Sequence, residues 1–132
     1  MDGSLRRGQV RFILISNRVR VKGSDVSQDE QQILSRLMNV IEDRKQNPPE
    51  KSYTTTLLAG GTAKIAEKIL EEAQEVVEAA GETETSARDH LIHEAADLIF
   101  HLMVMLGYKS ICWEEIEVEL GRRFGISGLD EK

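Results

Sequence analysis

Cysteine is almost absent from this sequence, since Cys112 is the only one among 132 residues. A single cysteine excludes an intramolecular disulfide, and it excludes the cysteine clusters that hold structural zinc. Long apolar runs are missing as well, because no stretch approaches the roughly 20 apolar residues that span a bilayer. These absences favour a cytoplasmic protein without a membrane segment.

The beginning of the chain lacks the pattern of a secretory signal. Its short apolar run, RFILIS, is followed at once by charged residues, and no small-residue cleavage site appears. The stretch is basic and β-branched, and the alternation from Val19 to Lys22 suits a short strand. We therefore separate an extension over residues 1–26, either a native arm or a non-native leader, from a single domain over residues 27–132.

Acidic residues dominate the predicted domain. Residues 1–25 hold six Lys or Arg against two acids, which leaves eleven basic and twenty-one acidic residues downstream. Such a body repels the backbone of nucleic acids, so we expect no nucleic-acid partner. If the protein handles phosphates, we expect a divalent cation between them and its own carboxylates.

Helical periodicity after residue 26 predicts an all-α, four-helix bundle without convincing strands. The first helix opens at Ser27, with Glu30 in the spacing of a capping box, and Pro48 and Pro49 break it. The segment up to the following glycine pair is predicted to be a loop with one turn around residues 54–58. The predicted helices cover residues 27–45, 62–81 and 85–108, and a fourth helix begins with Ser110 as its N-cap.

Two of these helices carry polar residues at helical spacing on one side. The third helix is apolar over most of its circumference, so its single polar strip stands out. Residues three and four positions apart lie on the same face of a helix, which aligns each set. The sets are Lys64, Lys68, Glu72 and Glu75 on the second helix, and His90, Glu94, Asp97 and His101 on the third.

Carboxylates on such an apolar helix need partners. Burying an ionised carboxylate costs several kcal/mol unless it is paired, hydrogen-bonded or bound to a metal. If Glu72-x-x-Glu75 faces Glu94-x-x-Asp97, four like charges converge, which is tolerable only around cations. Oxygen ligands alone select a hard ion such as Mg²⁺ or Mn²⁺.

Less specific interpretations of the same residues stay open. The stretch EEAQE is typical of a solvated helix face. Glu94 and Asp97 would also be stabilised by Lys or Arg from another helix. The three histidines are interpreted as core or rim residues in hydrogen bonds, not as metal ligands.

Five stretches in order resemble phosphoribosyl-ATP pyrophosphatase, a family within the all-α nucleotide pyrophosphohydrolases of the MazG-like superfamily. They are RLMNVIEDRK, SYTTTLLAGG, KIAEKILEEAQEVVEAA, HEAADLIFHLMVML and WEEIEVELGRRFG. The split Glu-x-x-Glu and Glu-x-x-Asp motif is shared by the superfamily, whereas SYT before a glycine pair and the lysine-rich lead into EEAQEVV indicate this family. Phe100 departs from the pattern, because a tyrosine is common there, and the N-terminal extension has no counterpart.

The resemblance implies hydrolysis of 1-(5-phosphoribosyl)-ATP to 1-(5-phosphoribosyl)-AMP and pyrophosphate, the second step of histidine biosynthesis. It implies Mg²⁺ as the cofactor, with Mn²⁺ as a substitute, and a separate cyclohydrolase for the next step. The implied catalytic and metal ligands are Glu72, Glu75, Glu94 and Asp97, with Glu71 as an outer-shell group or base. By their chemistry, the candidates for phosphate binding are Lys64, Lys68, Arg44, Lys45, Gly60 and Gly61.

The apolar circumference of the third helix also predicts assembly. Three short partners from the same chain cannot easily cover it, so we expect a homodimer packed across a two-fold axis. Two other functions fit the same motifs. One is a house-cleaning enzyme that removes pyrophosphate from damaged or deoxy nucleotides, and the other is a non-enzymatic helical dimer that binds metal.

Overall fold

The computed structural model describes residues 32–125, and within that range the chain forms four α-helices and no strand. The predicted all-α class is therefore confirmed. The predicted extension over residues 1–26 and the capping box at Ser27 and Glu30 lie outside the described residues. The helices are α1 (Ile33–Gln46), α2 (Tyr53–Ala80), α3 (Ala87–Tyr108) and α4 (Trp113–Phe124).

The longest helices, α2 and α3, form the central pair of the bundle, and α1 packs across both. At the crossing of α1 and α3, a Cβ added to Gly107 would lie 2.7 Å from Ile41 Cγ2 and 3.3 Å from Met38 Sδ. A side chain at residue 107 would clash with Ile41, so glycine lets α1 pack this closely against α3. The buried core is Leu37, Met38 and Ile41 of α1, Leu57 and Ile65 of α2, and Phe100, Met103 and Val104 of α3.

A glycine interrupts α2 and changes the direction of the chain. Gly61 has φ 73° and ψ −168°, which lies in a region that is essentially restricted to glycine. Tyr53 and Lys68 would lie about 22 Å apart on a straight helix, yet both line one cleft. The segment from Tyr53 to Gly60 therefore folds back beside the segment that begins at Thr62.

Residues 53–60 before this glycine are helical, so the predicted loop is wrong there except for the single turn predicted around residues 54–58. The side chain of Ser52 accepts a hydrogen bond from the backbone N–H of Thr55 at 3.1 Å and caps the helix. Leu57 is fully buried and anchors the segment to the core. A local cap and a distant packing contact together stabilise a helix that is too short to show a clear period.

The predicted N-cap of the last helix is also wrong. Ser110 has φ 62° and belongs to the turn that ends α3. The cap of α4 is Cys112, whose backbone N–H donates to Glu115 Oε2 at 3.1 Å in a capping box. The last helix therefore begins two residues later than its serine cap predicts.

By length and composition alone, α3 is apolar enough to cross a membrane. The expectation that no segment reaches a spanning length is therefore too strong. The core helix of a soluble protein can be equally long and apolar. The buried side of α3 carries Glu94, Asp97 and His101. Ionisable groups are costly at the centre of a bilayer, so this composition fits a core helix.

Candidate active site

The polar strip of α3 is its buried side. Glu94, Asp97 and His101 are 6%, 2% and 0% exposed, whereas Ile99 and Leu102 are 41% and 42% exposed. The carboxylates of α3 are therefore buried, while some of its apolar side chains face outward. The interior of this bundle holds a cluster of acids beside its apolar core.

The carboxylates of α2 meet those of α3 in two groups. Glu72 is fully buried, and one carboxylate oxygen from each of Glu72, Glu75 and Glu94 lies within 4.8 Å of the others. In the second group, ligand atoms of His93, Glu94 and Asp97 lie within the same distance of one another. Glu94 belongs to both groups. The structure thus brings all four predicted carboxylates together, with Glu94 at the junction.

The donor set of this cluster fits a hard divalent cation. Glu94 Oε2 accepts a hydrogen bond from His90 Nε2 at 3.1 Å, whereas Oε1 is buried without a hydrogen-bond partner among residues 32–125. A buried carboxylate oxygen in this state is costly, and a cation would remove the cost. Oxygen atoms from three further carboxylates match the preference of Mg²⁺ and Mn²⁺.

The histidines of α3 have different surroundings. His93 lies at the rim of the cluster, with Nε2 at 3.5 Å from Asp97 Oδ2. His90 lies between two carboxylates, since Nδ1 is 2.9 Å from Glu82 Oε1. That hydrogen bond is the largest cause that raises the pKa of His90 above its ordinary value. Burial opposes the rise in the pKa, and Glu94 adds to it.

His101 is fully buried and connects α3 to Tyr53 of α2. Its Nδ1 is 2.8 Å from the backbone carbonyl oxygen of Asp97, and its Nε2 is 2.8 Å from the hydroxyl of Tyr53. A carbonyl oxygen only accepts, so the neutral ring carries its proton on Nδ1, and Tyr53 donates its hydroxyl hydrogen to Nε2. Tyr53 also stacks on Phe100, with ring centroids 6.2 Å apart.

A cleft of about 400 Å³ lies between the two segments of α2. Two of the predicted phosphate-binding residues, Lys64 and Lys68, line it, and Lys68 Nζ is 2.9 Å from Glu71 Oε1. Glu71 is thus bound to a cleft lysine and belongs to neither group of carboxylates. The remaining lining residues are Glu50, Lys51, Ser52, Tyr53, Thr56 and Leu57.

The structure does not bring the other predicted basic residues to the carboxylates. Lys45 Nζ donates to the carbonyl oxygen of Gly107 at 2.8 Å, and Arg44 pairs with Asp43 at 3.3 Å. Gly107 lies about 20 Å along α3 from Glu94, at 1.5 Å per residue. Within one chain, Lys45 therefore stabilises the C-terminal end of α3, where a cation is favourable.

The glycine pair has one structural role in this site. Gly61 provides the break in α2, and a Cβ at this position would lie 3.2 Å from the hydroxyl oxygen of Tyr108. Gly60 precedes the break and lies against the side chain of Lys64. The pair therefore lies at the break between the two segments of α2 whose residues line the cleft.

Residues 34–124 match the family model described as phosphoribosyl-ATP pyrophosphohydrolase. The chain belongs to this family. It is 51% identical over 100 residues to a phosphoribosyl-ATP pyrophosphatase of Geotalea daltonii, covering 76% of this chain and 92% of the relative. A phosphoribosyl-ATP pyrophosphatase of Rhodopirellula baltica is 48% identical over 99 residues, which cover 75% of this chain and 82% of the relative.

Membership of the phosphoribosyl-ATP pyrophosphohydrolase family confirms the resemblance seen in the five sequence stretches and makes the chain a hydrolase. It sets aside the alternative of a non-enzymatic metal-binding dimer. Phe100, which departs from the family pattern, is 1% exposed and packs edge-to-face against His101. The departure therefore lies at a packing position and not at a carboxylate.

Several residues of the site were not predicted from the sequence. Tyr53, Ser52 and Thr56 line the cleft, and Glu82 binds His90. The stretch SYTTTLLAGG is a sequence signal for the three cleft residues, because SYT before a glycine pair distinguishes the family from its superfamily. Glu82 had no signal, since it lies in the connection between α2 and α3.

Proposed function

We propose that the protein hydrolyses 1-(5-phosphoribosyl)-ATP between its α and β phosphates, as a step of histidine biosynthesis. The products are 1-(5-phosphoribosyl)-AMP and pyrophosphate, and one water molecule is consumed. The observation that supports this most strongly is the convergence of Glu72, Glu75 and Glu94 in a member of this family. The lone cysteine suits a reducing compartment, so the proposed location is the cytoplasm.

The proposed cofactor is Mg²⁺, with Mn²⁺ as a substitute, held by Glu72, Glu75, Glu94 and Asp97. When bound, it offsets phosphate charge and lowers the pKa of a water molecule. The four carboxylates themselves would repel a polyphosphate, so they favour binding only when they are neutralised. Because the cluster is largely buried, its charges would interact strongly with a bound cation.

The cleft beside the cluster supports the binding of a polyphosphate. Lys64, Lys68 and Lys51 contribute three ammonium groups to its lining. The helical segment after Gly61 begins there, and the N-terminus of a helix favours anions. Lys68 also contacts Glu71, which limits the movement of its side chain. In phosphoryl transfer, catalysis is mostly positioning and charge stabilisation, and this arrangement supplies both.

A comparison of three substrates tests this proposal. With Mg²⁺, we expect pyrophosphate release from phosphoribosyl-ATP with a kcat/KM at least about a hundredfold above that for ATP or dUTP, because polar groups in a site discriminate strongly. Excess EDTA should remove the activity, and added Mg²⁺ or Mn²⁺ should restore it. A preference for dUTP or ATP would instead support the house-cleaning enzyme, and no release from any substrate would contradict both.

We also propose that the protein is a homodimer. Large apolar side chains are exposed on both central helices: Leu70 and Val77 on α2, and Ile92, Ile99 and Leu102 on α3. Within each helix the members lie three, seven or ten positions apart and share one side. A second copy of the same chain would cover these stripes across a two-fold axis.

Sedimentation velocity at micromolar concentration should show a dimer of the 14.9 kDa chain. Ile99→Glu should weaken the dimer by at least about a hundredfold, because a charge buried in an apolar interface costs several kcal/mol. Val118→Glu places the same charge on α4, where Val118 is exposed, and should leave the dimer intact. A monodisperse monomer of the wild-type protein would contradict the proposal.

A further inference from the structure

His90 connects the turn between α2 and α3 to the carboxylate cluster. Its Nδ1 lies 2.9 Å from Glu82 Oε1, and its Nε2 lies 3.1 Å from Glu94 Oε2. Glu82 lies two residues after the end of α2, in the connection that leads to α3. The three side chains form a chain of hydrogen bonds that runs from a half-buried carboxylate through an imidazole to a buried one.

The two contacts define what each ring nitrogen does. Carboxylate oxygens only accept hydrogen bonds, so Nε2 binds Glu94 as a donor, and the protonated ring donates to both carboxylates. The contact at Nε2 engages one oxygen of Glu94 and limits rotation of the carboxylate. The other oxygen, Oε1, is buried without a hydrogen bond to any described residue. His90 thus restrains Glu94 while leaving one of its oxygens available.

We propose that His90 is a positioning residue, whose Nε2–H orients Glu94 so that the Oε1 atom faces a divalent cation, while Glu82 fixes the imidazole from the other side. This role rests on the metal-binding part of the proposed function and not on the identity of the nucleotide. Hydrogen-bonded neighbours that orient a metal ligand change metal affinity by about 10- to 100-fold when they are lost.

Two amide substitutions separate positioning from charge. In His90→Gln the side-chain amide nitrogen reaches about as far as Nε2, whereas in His90→Asn it reaches only as far as Nδ1. Both variants remove any positive charge from the ring equally. That loss alone would strengthen cation binding, because it makes the cluster more negative. Weaker binding, and a difference between the two variants, therefore report the hydrogen bond to Glu94.

The experiment measures Mn²⁺ binding to the intact protein without nucleotide, by calorimetry and by the EPR signal of free Mn²⁺. We expect His90→Asn to weaken binding by about 10- to 100-fold and His90→Gln to stay within about threefold of wild type. Glu82→Gln should weaken binding by a smaller factor. Glu78→Gln makes the same change in an exposed pair with Gln74 and should bind Mn²⁺ as wild type does.

Four results would overturn the positioning role. One is wild-type affinity in both His90 variants, and another is stronger binding in both, as the loss of charge predicts. A third is an equal loss in both variants together with a lower Tm, which indicates a structural role. The fourth is a wild-type protein that binds no Mn²⁺. If Mn²⁺ binds as expected but phosphoribosyl-ATP is not hydrolysed, the proposed function fails while the role of His90 is supported.

Discussion

Glu72→Gln is expected to lower kcat/KM for phosphoribosyl-ATP by about a thousandfold or more, which is the scale on which single electrostatic groups act in active sites. Glu72 is fully buried, and its carboxylate lies within 4.8 Å of those of Glu75 and Glu94. Glutamine keeps the shape of the side chain but loses the negative charge that a cation requires. Asp97→Asn is expected to act in the same way.

The fold should survive Glu72→Gln, but metal should change the stability of the variant and of the wild type differently. Without divalent cations, the wild-type cluster holds several carboxylates close together, so a neutral amide relieves repulsion and the Tm should equal or exceed that of wild type. With Mg²⁺, the rise in Tm that ligand binding gives the wild type should be lost in the variant.

Pyrophosphate release and thermal melts in EDTA and in Mg²⁺ check both expectations. Glu78→Gln is the matched control, because it makes the same change on the exposed side of α2, where Glu78 accepts a hydrogen bond from Gln74. It should leave turnover and metal-dependent melting unchanged. Normal pyrophosphate release by Glu72→Gln or Asp97→Asn would remove that residue from the site.

Gly61→Ala should destabilise the fold and weaken substrate binding together. The backbone of Gly61 lies in a region that costs other residues about 1–3 kcal/mol. The added Cβ would also lie 3.2 Å from the hydroxyl oxygen of Tyr108. Because the break at Gly61 brings the segment from Tyr53 beside Lys64, we expect KM for phosphoribosyl-ATP to rise by about tenfold or more, the scale of 1.4 kcal/mol of lost binding.

Chemical denaturation and steady-state kinetics measure the two effects of Gly61→Ala. Gly121→Ala is a matched control with the opposite expected effect on stability, because Gly121 lies within α4 and a Cβ there meets nothing within 4 Å. Alanine in the middle of a helix is favoured over glycine by about 0.5–1 kcal/mol, so stability should rise and KM should not change. An unaltered KM in Gly61→Ala would show that the break does not shape the substrate site.

The sequence predicts the helices whose stabilising signals are local. The helix predicted over residues 62–81 occurs as the second segment of α2, because a regular apolar period lies between two glycines. The helix from Tyr53 to Gly60 is longer than the single turn that the sequence predicts around residues 54–58, since the buried contacts of Leu57 are made with distant parts of the chain. Cys112 was not predicted as a cap because serine is the stronger cap by type, and the φ of Ser110 is set by the end of α3.

The candidate site likewise contains residues that the sequence predicts and residues that it does not. Spacing alone places Glu72 with Glu75, and Glu94 with Asp97, because three-residue separations share a helix face. Which side of α3 is buried cannot be read from its composition, since apolar residues surround it almost completely. The positions of Lys45 and Glu82 depend on how helices and connections meet. These contacts follow from tertiary packing and have no signature in the local sequence.

The hydrogen bond between Tyr53 and His101 limits what the cleft can recognise at that point. With a neutral imidazole, the phenol donates its single hydrogen to Nε2 of His101 at 2.8 Å. Toward the cleft, the oxygen of Tyr53 can offer only lone pairs. A ligand group that meets this oxygen must donate the hydrogen bond, as a sugar hydroxyl or an amino group does. A fully ionised phosphate oxygen has no hydrogen to donate and would be repelled by these lone pairs.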